Sequence, residues 1–247
     1  MIIEYFGDDK LPALMLIHEG GLGAWMWRPV IERLKQDYWV LTPVLDGHGP
    51  DAGHDFATIA QCAGQIERFI QSRLRGQKLY LAGCGLGGQI ACELLSRSSH
   101  AALAAVIEDA QVIPSPKARQ RERFGKLQWK LSKMRPFALR RAKSLGLPQE
   151  MQNEYLRDVG LISQVSYRRM LHETLYYTLP VEFKNTSARI LALHSEADGP
   201  SLGFSAQLMA RNAGNCRIQA LPGKALCLKE PETYVNLIHH FFKEENP

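Results

Sequence analysis

A glycine-rich run stands between a short apolar segment and a helix-length one, and it reads Gly83-Cys84-Gly85-Leu86-Gly87-Gly88. Such turns bind phosphate or dinucleotides when they match GxGxxG or GxxxxGK followed by Ser or Thr, because their amides then point at the anion. This run matches neither pattern. We therefore expect no nucleotide cofactor, and chemistry at this turn must come from the side chains around it.

Cysteine is the reactive residue type inside this run. Cys84 is a candidate nucleophile, and a nearby cation such as Lys224 would lower the pKa of its thiol. The five cysteines are scattered and form no CxxC pair, so the sequence predicts neither a disulfide framework nor a metal site. Unpaired cysteines without a secretory leader favour the reducing cytoplasm.

The elements that position this turn alternate between short apolar runs and amphipathic segments, which is typical of βα units with a mainly parallel sheet. The predicted strands are Ile2–Phe6, Leu14–His18, Trp39–Val44, Lys78–Ala82, Leu103–Glu108, Arg189–His194 and Arg217–Leu221. The predicted helices are Trp27–Leu34, Phe56–Leu74, Gln89–Ser96, Phe204–Asn212 and Thr233–Phe242.

The alternation breaks in residues 112–187, where the patterns are helical and no strand is evident. An apolar stripe of Leu127, Leu131, Met134 and Ala138 predicts one helix, which Pro136 would kink. We interpret the segment as a helical cap at the ligand-binding edge of the sheet. The chain is thus expected to be one domain, residues 1–247, with core segments 1–111 and 188–247 and a cap at 112–187.

Three segments, in chain order, resemble the α/β-hydrolase superfamily. The first resembles its oxyanion loop, the second its DxxGHG turn with valine in place of the aspartate, and the third its nucleophile elbow. They read Leu16-Ile-His18-Glu19-Gly20-Gly21, Val44-Leu45-Asp46-Gly47-His48-Gly49 and Leu81-Ala-Gly83-Cys84-Gly85-Leu86-Gly87-Gly88. A weaker fourth match, Leu193-His194-Ser-Glu196-Ala-Asp198, is similar to the strand end that carries the family's acid. The resemblance implies an α/β-hydrolase fold derived from carboxylic-ester or acyl hydrolases.

The elbow needs small residues two positions before and two after the nucleophile, because the helix packs closely against the strand. Centring the motif on Gly85 gives Gly83 and Gly87, whereas centring it on Cys84 gives Ala82 and the bulky Leu86. The nucleophile position therefore falls on Gly85, which has no side chain. At this position the chain is similar to the non-catalytic N-myc downstream-regulated family, although the similarity is confined to that position.

The resemblance implies three further departures around Gly85. Lys224 stands at or next to the expected histidine, and Asp198 is the residual acid without a histidine to orient. Glu19 replaces the first glycine of the oxyanion loop; an inward carboxylate would oppose developing negative charge. The predicted oxyanion or ligand-binding amides are those of Gly20, Gly21 and Leu86.

Two functions follow from these departures. The first is a catalytically impaired protein that binds a small apolar or acyl-type ligand, or a partner, without conventional Ser-His-Asp turnover. The alternative is an active hydrolase or acyl-transfer enzyme with relocated residues such as Cys84, or with a distant histidine as base. We expect no cofactor, since the family needs none.

The charge distribution and the sequence patterns limit the kinds of partner that we expect this chain to bind. The net charge of +5 is concentrated between Lys117 and Lys143, where eleven basic residues stand against Glu122. Solvated helix faces explain that patch more simply than an anionic partner does. Nothing resembles a nucleic-acid module, and no apolar run approaches the roughly 18 residues of a membrane helix. The oligomeric state stays open.

Overall fold

A computed structural model describes residues 1–223 and 225–244, with the backbone alone for Asp198. In this part of the chain seven strands form one sheet: β1 (Ile2–Phe6), β2 (Ala13–Ile17), β3 (Trp39–Val44), β4 (Leu79–Cys84), β5 (Ala104–Glu108), β6 (Arg189–Ser195) and β7 (Cys216–Leu221). The helices are α1 (Arg28–Leu34), α2 (Ile59–Arg73), α3 (Leu86–Arg97), α4 (Ala118–Arg123), α5 (Gly125–Ser132), α6 (Arg135–Ser144), α7 (Gln149–Leu161), α8 (Gln164–Tyr176), α9 (Pro200–Asn212), α10 (Leu226–Lys229) and α11 (Pro231–Lys243).

The strands lie in the order β1-β3-β2-β4-β5-β6-β7. β1 pairs antiparallel with β3, and the other neighbours are parallel. The predicted α/β class with a mainly parallel sheet is confirmed. β4 lies at the centre, and its register places Ile17 beside Gly83 and Glu108 beside Cys84. The carboxyl ends of β2, β4 and β5 therefore meet at one edge.

Helices cover both faces of the sheet, which explains why the central strands are continuous apolar runs. Alternate residues of β2 enter two different cores: Met15 packs in the core under α2, α3 and α9, and Leu14 in the core under α1 and α11. The central strands β2, β4 and β5 are buried along nearly their whole length, whereas the edge strand β7 is largely exposed. A rigid, buried sheet thus fixes the positions of the loops at its carboxyl edge.

Some predicted bounds differ from the structure for local reasons. α2 begins at Ile59 rather than near Phe56, because the Thr58 hydroxyl caps it by accepting a hydrogen bond from the Gln61 amide at 3.0 Å. β4 continues to Cys84, and α3 begins immediately after Gly85. The predicted separation between strand and helix is thus reduced to a single residue.

Helices α4 to α8 occupy most of the sequence between β5 and β6, and we call them the helical insertion. The predicted kink at Pro136 is wrong: one helix ends at Ser132 and another begins at Arg135, so that Pro136 stands in a first turn, where its missing N–H costs nothing. The predicted stripe is also incomplete, since Leu127 and Met134 are exposed. Among the described residues, each helix is too short or too polar to cross a bilayer.

Candidate functional site

The turn between β4 and α3 is centred on Gly85. Its backbone has φ +54° and ψ −112°, a conformation that side chains other than glycine adopt at a cost. A Cβ on Gly83 would lie 2.5 Å from the Gly87 carbonyl oxygen, and a Cβ on Gly87 would overlap the Ile17 carbonyl. Helix and strand therefore approach so closely that only glycine fits at both flanks.

The carboxylate of Glu19 lies directly over Gly85. A Cβ built on Gly85 would overlap this carboxylate, so the group fills the space in which a residue-85 side chain would begin. Glu19 Oε1 accepts hydrogen bonds from the amides of Gly20 at 2.5 Å and Leu86 at 3.3 Å. The carboxylate thus points inward, where it holds two of the three amides predicted to bind a substrate oxygen.

Burial raises the pKa of Glu19 to about 7. The amides of Leu86 and Gly20 and the nearby charge of Arg141 oppose that rise, whereas the charge of Asp109 adds to it. Near neutral pH the group is therefore divided between carboxylate and carboxylic acid. In its charged form it opposes negative charge at the position where an acyl-transfer intermediate would develop it.

Two buried histidines support the loop that carries Glu19. His18 Nε2 accepts a hydrogen bond from the Leu45 amide at 3.1 Å, so Nδ1 carries the proton and donates to the Glu19 carbonyl at 2.9 Å. Burial lowers the pKa of His18 to about 3. In this neutral form both ring nitrogens are engaged in positioning the loop.

His48 has the equivalent arrangement from the second motif. Its Nε2 accepts from the Gly21 amide at 3.0 Å, and its Nδ1 donates to the Asp46 carbonyl at 3.1 Å. Burial lowers its pKa as well. The Gly21 amide, which the sequence predicts to bind a substrate oxygen, therefore donates to His48 instead. The histidines of the first two motifs thus hold the loop in position.

Cys84 lies on the other side of the turn and is buried. Its hydrogen bond with Cys227, followed by burial, holds the pKa of its thiol well above the usual range. The Cys84 and Cys227 sulfurs and a Glu108 carboxylate oxygen lie within 4.8 Å of one another. Sequence reasoning missed Glu108 and Cys227, since no local spacing links residues 84, 108 and 227.

The predicted acid lies directly after the end of β6. Asp198 closes a short 3-10 turn, Glu196–Asp198, directly after β6. Lys224 lies outside the described residues. Asp109, after β5, has a positive φ of 52°, and its Oδ1 accepts a hydrogen bond from the Ser195 amide at 2.7 Å. That contact joins the ends of two neighbouring strands.

His194 lies in β6, close to the start of α9. Its Nδ1 is buried and has no hydrogen-bond partner among the described residues. A Cβ on Gly203 would lie 3.5 Å from its ring, so the imidazole packs against the first turns of α9.

A cleft of about 770 Å³ opens above Gly85, between the sheet edge and the helical insertion. Glu19, Gly20 and Leu86 line its floor, and mostly apolar side chains line the rest, including Leu131, Phe137, Val159, Ile162, Met170 and Leu175. Arg121 and Arg141 also line it. Among the described residues, no histidine lines this cleft.

The fold and the site define a class of protein: a mainly parallel α/β sheet whose central strand turns sharply into a helix beneath a cleft. The alpha/beta hydrolase family profile matches residues 14–232. The chain belongs to this family, which confirms the resemblance seen in the sequence. A search of curated proteins finds no significant match.

Solved structures show the same fold. The enol-lactonase from Burkholderia xenovorans LB400 has a TM-score of 0.80 at 17% identity, over 98% of this chain and 96% of that one. A hydrolase from Pseudomonas aeruginosa PA01 has 0.78 at 17%, over 98% and 94%. MenH from S. aureus has 0.77 at 16%, over 98% and 97%. At these identities the likeness concerns the fold.

Proposed function

We propose that this member of the family derives from carboxylic-ester or acyl hydrolases and binds a small apolar or acyl-type ligand without Ser-His-Asp turnover. The observation that carries the proposal is the Glu19 carboxylate, which fills the nucleophile space over Gly85 and accepts from the Gly20 and Leu86 amides. A substrate carbonyl would have to displace a group of the chain itself from those amides.

The cleft supports the ligand class. In this proposal residues 112–187 are a cap over core segments 1–111 and 188–247, and the ligand lies between them. Apolar side chains from the cap, such as Leu131 and Phe137, would contact a hydrocarbon chain. Arg121 and Arg141, which also line the cleft, would favour a ligand with an acidic head group.

Turnover tests the loss of catalysis. Purified protein, first treated with a fluorophosphonate to silence contaminating serine hydrolases, is assayed with short p-nitrophenyl esters. We expect hydrolysis no faster than that by a heat-denatured sample, because removal of a nucleophile or base lowers triad catalysis by several powers of ten. Appreciable surviving hydrolysis would contradict the proposal.

Binding tests the ligand class with a matched pair of variants. Phe137 and Phe124 both belong to the helical insertion and are 46% and 48% exposed, but only Phe137 lines the cleft. The affinity for medium-chain fatty acids is measured by their displacement of a fluorescent fatty acid. This affinity should fall several-fold in Phe137→Ala and stay unchanged in Phe124→Ala. Equal effects, or no binding by the wild type, would contradict an acyl ligand in this cleft.

The surroundings of Cys84 argue against the alternative, an enzyme that uses this cysteine as its nucleophile. A thiol that is buried, hydrogen-bonded to Cys227 and raised in pKa is protonated at neutral pH, whereas the thiolate is the nucleophile. We expect iodoacetamide to label Cys84 more slowly than the half-buried Cys216. Preferential labelling of Cys84, read by peptide mass spectrometry, would restore the alternative.

Location in the cytoplasm and absence of nucleic-acid binding stay predictions.

A further inference from the structure

Three potential metal ligands converge behind the Gly85 turn from distant parts of the sequence. Cys84 ends β4, Glu108 ends β5 beside it in register, and Cys227 lies in α10. Their sulfur and oxygen atoms all lie within 4.8 Å of one another, and all three residues are buried. In a tetrahedral thiolate and carboxylate site the ligand atoms surround the ion at about 2.0 to 2.3 Å, so small side-chain movements would close this cluster around one ion.

Backbone amides orient the carboxylate of this cluster. Glu108 Oε1 accepts from the Leu226 amide at 2.5 Å, and Oε2 accepts from the Cys227 amide at 3.3 Å. These contacts direct Glu108 toward the segment that carries Cys227, in the way that outer hydrogen bonds orient metal ligands. Glu108 is buried, and among the described residues no ion pair joins its carboxylate to a basic side chain.

Tyr234 of α11 gives a second, independent sign of a missing ligand. The side chain is fully buried, and its hydroxyl has no hydrogen-bond partner among the described residues. Tyr234 packs in the same buried core cluster as Cys84 and Cys227. A buried hydroxyl without a partner costs about 1–3 kcal/mol, and native structures rarely leave such groups unsatisfied.

We infer that Cys84, Glu108 and Cys227 bind one thiophilic divalent cation, of the Zn²⁺ class, with the Tyr234 hydroxyl or a water beside the fourth position. On binding, the two thiols and the Glu108 carboxyl release their protons to solvent, and the metal accepts two sulfur lone pairs and one oxygen lone pair. Two thiolates select a borderline or soft metal over Mg²⁺ or Ca²⁺.

The position of the cluster indicates a structural role. Cys84 directly precedes Gly85, and Cys227 lies on the segment that reaches the cleft through Ala225 and Leu228. A bound ion would tie the elbow to α10, and so hold the cleft floor against the neighbouring loop. Cys84 also lines the cleft, which gives the ion a route from solvent.

The test uses the full chain, purified under reducing conditions, stripped with a chelator and titrated with Zn²⁺ or Co²⁺. We expect one ion per chain, the sulfur-to-cobalt charge-transfer absorption of thiolate ligation, and a higher melting temperature with Zn²⁺. The double variant Cys84→Ser/Cys227→Ser should lose all three signals, and Glu108→Gln should weaken binding by roughly 100-fold. The control Cys62→Ser/Cys92→Ser removes two other buried cysteines and should behave as the wild type.

A measurement on the wild type keeps the inference testable if the double variant fails to fold. X-ray absorption of the zinc-loaded protein should show two sulfurs at about 2.3 Å and lighter ligands at about 2.0 Å. A shell of nitrogen and oxygen alone would overturn the site. So would substoichiometric binding, equal binding by the serine double variant, or a Cys84–Cys227 disulfide that forms in air while the reduced protein takes up no metal.

Discussion

The carboxylate of Glu19 occupies the space that a side chain on residue 85 would need, and glycine at 85 leaves that space open. Glu19 in the oxyanion loop and Gly85 at the nucleophile position both depart from the hydrolase pattern, and the contact between them makes each departure depend on the other. Amides at a helix N-terminus favour an anion, and here Glu19 Oε1 accepts from the Leu86 amide at the start of α3. The chain thereby supplies its own acceptor where a substrate oxygen would bind.

We predict that Gly85→Ser alone creates no esterase. A serine at φ +54° is strained, and its Cβ overlaps the Glu19 carboxylate. The variant should lose about 1–3 kcal/mol of unfolding free energy, measured by urea denaturation, and should not turn over p-nitrophenyl esters.

The double variant Glu19→Ala/Gly85→Ser is the matched control. Removing the carboxylate relieves the overlap, so the double variant should be more stable than the sum of the two single effects predicts. Esterase activity in either variant would show that a base survives near residue 85. Strict additivity of the two stability changes would contradict the contact.

Glu19→Gln should stabilise the protein in a pH-dependent way. The folded pKa of about 7 exceeds the ordinary value of 4.5, so the acid form is favoured by folding. The stability linked to Glu19 is fully present below pH 4.5 and is lost as pH rises through 7. Glutamine keeps an acceptor for the two amides without the charge. Its advantage should be about 1–3 kcal/mol at pH 8 and nearly absent at pH 4.5, read from urea midpoints. A constant difference at all pH values would contradict a titrating Glu19.

The parts of this structure that the sequence predicts are those that local patterns encode. Runs of buried apolar residues define the strands, and the close approach of Gly83 and Gly87 requires the small residues that mark the turn. The direction of the Glu19 side chain depends on His18 and Leu86, which no local pattern joins to it. The meeting of Cys84 with Glu108 and Cys227 likewise depends on sheet order and on α10. Tertiary contacts of this kind are set by topology, so spacing along the chain cannot reveal them.

His18 should contribute stability that acid removes. Its folded pKa of about 3 lies below the ordinary 6.5, because burial disfavours the charged form of the ring. Below pH 6.5 His18 binds a proton in the unfolded chain but not in the folded one. Its contribution to the unfolding free energy is therefore lost as the pH falls from 6.5 toward 3. His18→Gln should cost about 1–3 kcal/mol at pH 7.5, and that cost should disappear by pH 4, where the lowered pKa of His18 removes about 3 kcal/mol from the stability of the wild type. His240→Gln, at a side chain 85% exposed, is the control for the loss of a surface imidazole. A parallel pH profile in both variants would contradict the buried neutral ring.

Asp158 should anchor the helical insertion to the short 3-10 helix Ala24–Trp27, which follows the oxyanion loop. It lies in α7 and is 2% exposed; its Oδ2 accepts from the Trp25 indole at 2.8 Å, and Arg157 donates to its Oδ1 at 2.7 Å. Asp158→Ala leaves a buried indole N–H without an acceptor, which should cost about 1–3 kcal/mol.

Asp158→Asn, which keeps an acceptor oxygen, should cost less than the alanine variant. The control on the same helix is Glu154→Ala, which removes an exposed pair with Arg28 and should cost at most about 1 kcal/mol. Because α7 also contributes Tyr155 and Val159 to the cleft, Asp158→Ala should weaken fatty-acid binding as well, whereas Glu154→Ala should not. Urea denaturation followed by tryptophan fluorescence gives the stabilities, and ligand displacement gives the affinities. Equal losses in the two alanine variants would show that the Trp25 contact does not hold the insertion in place.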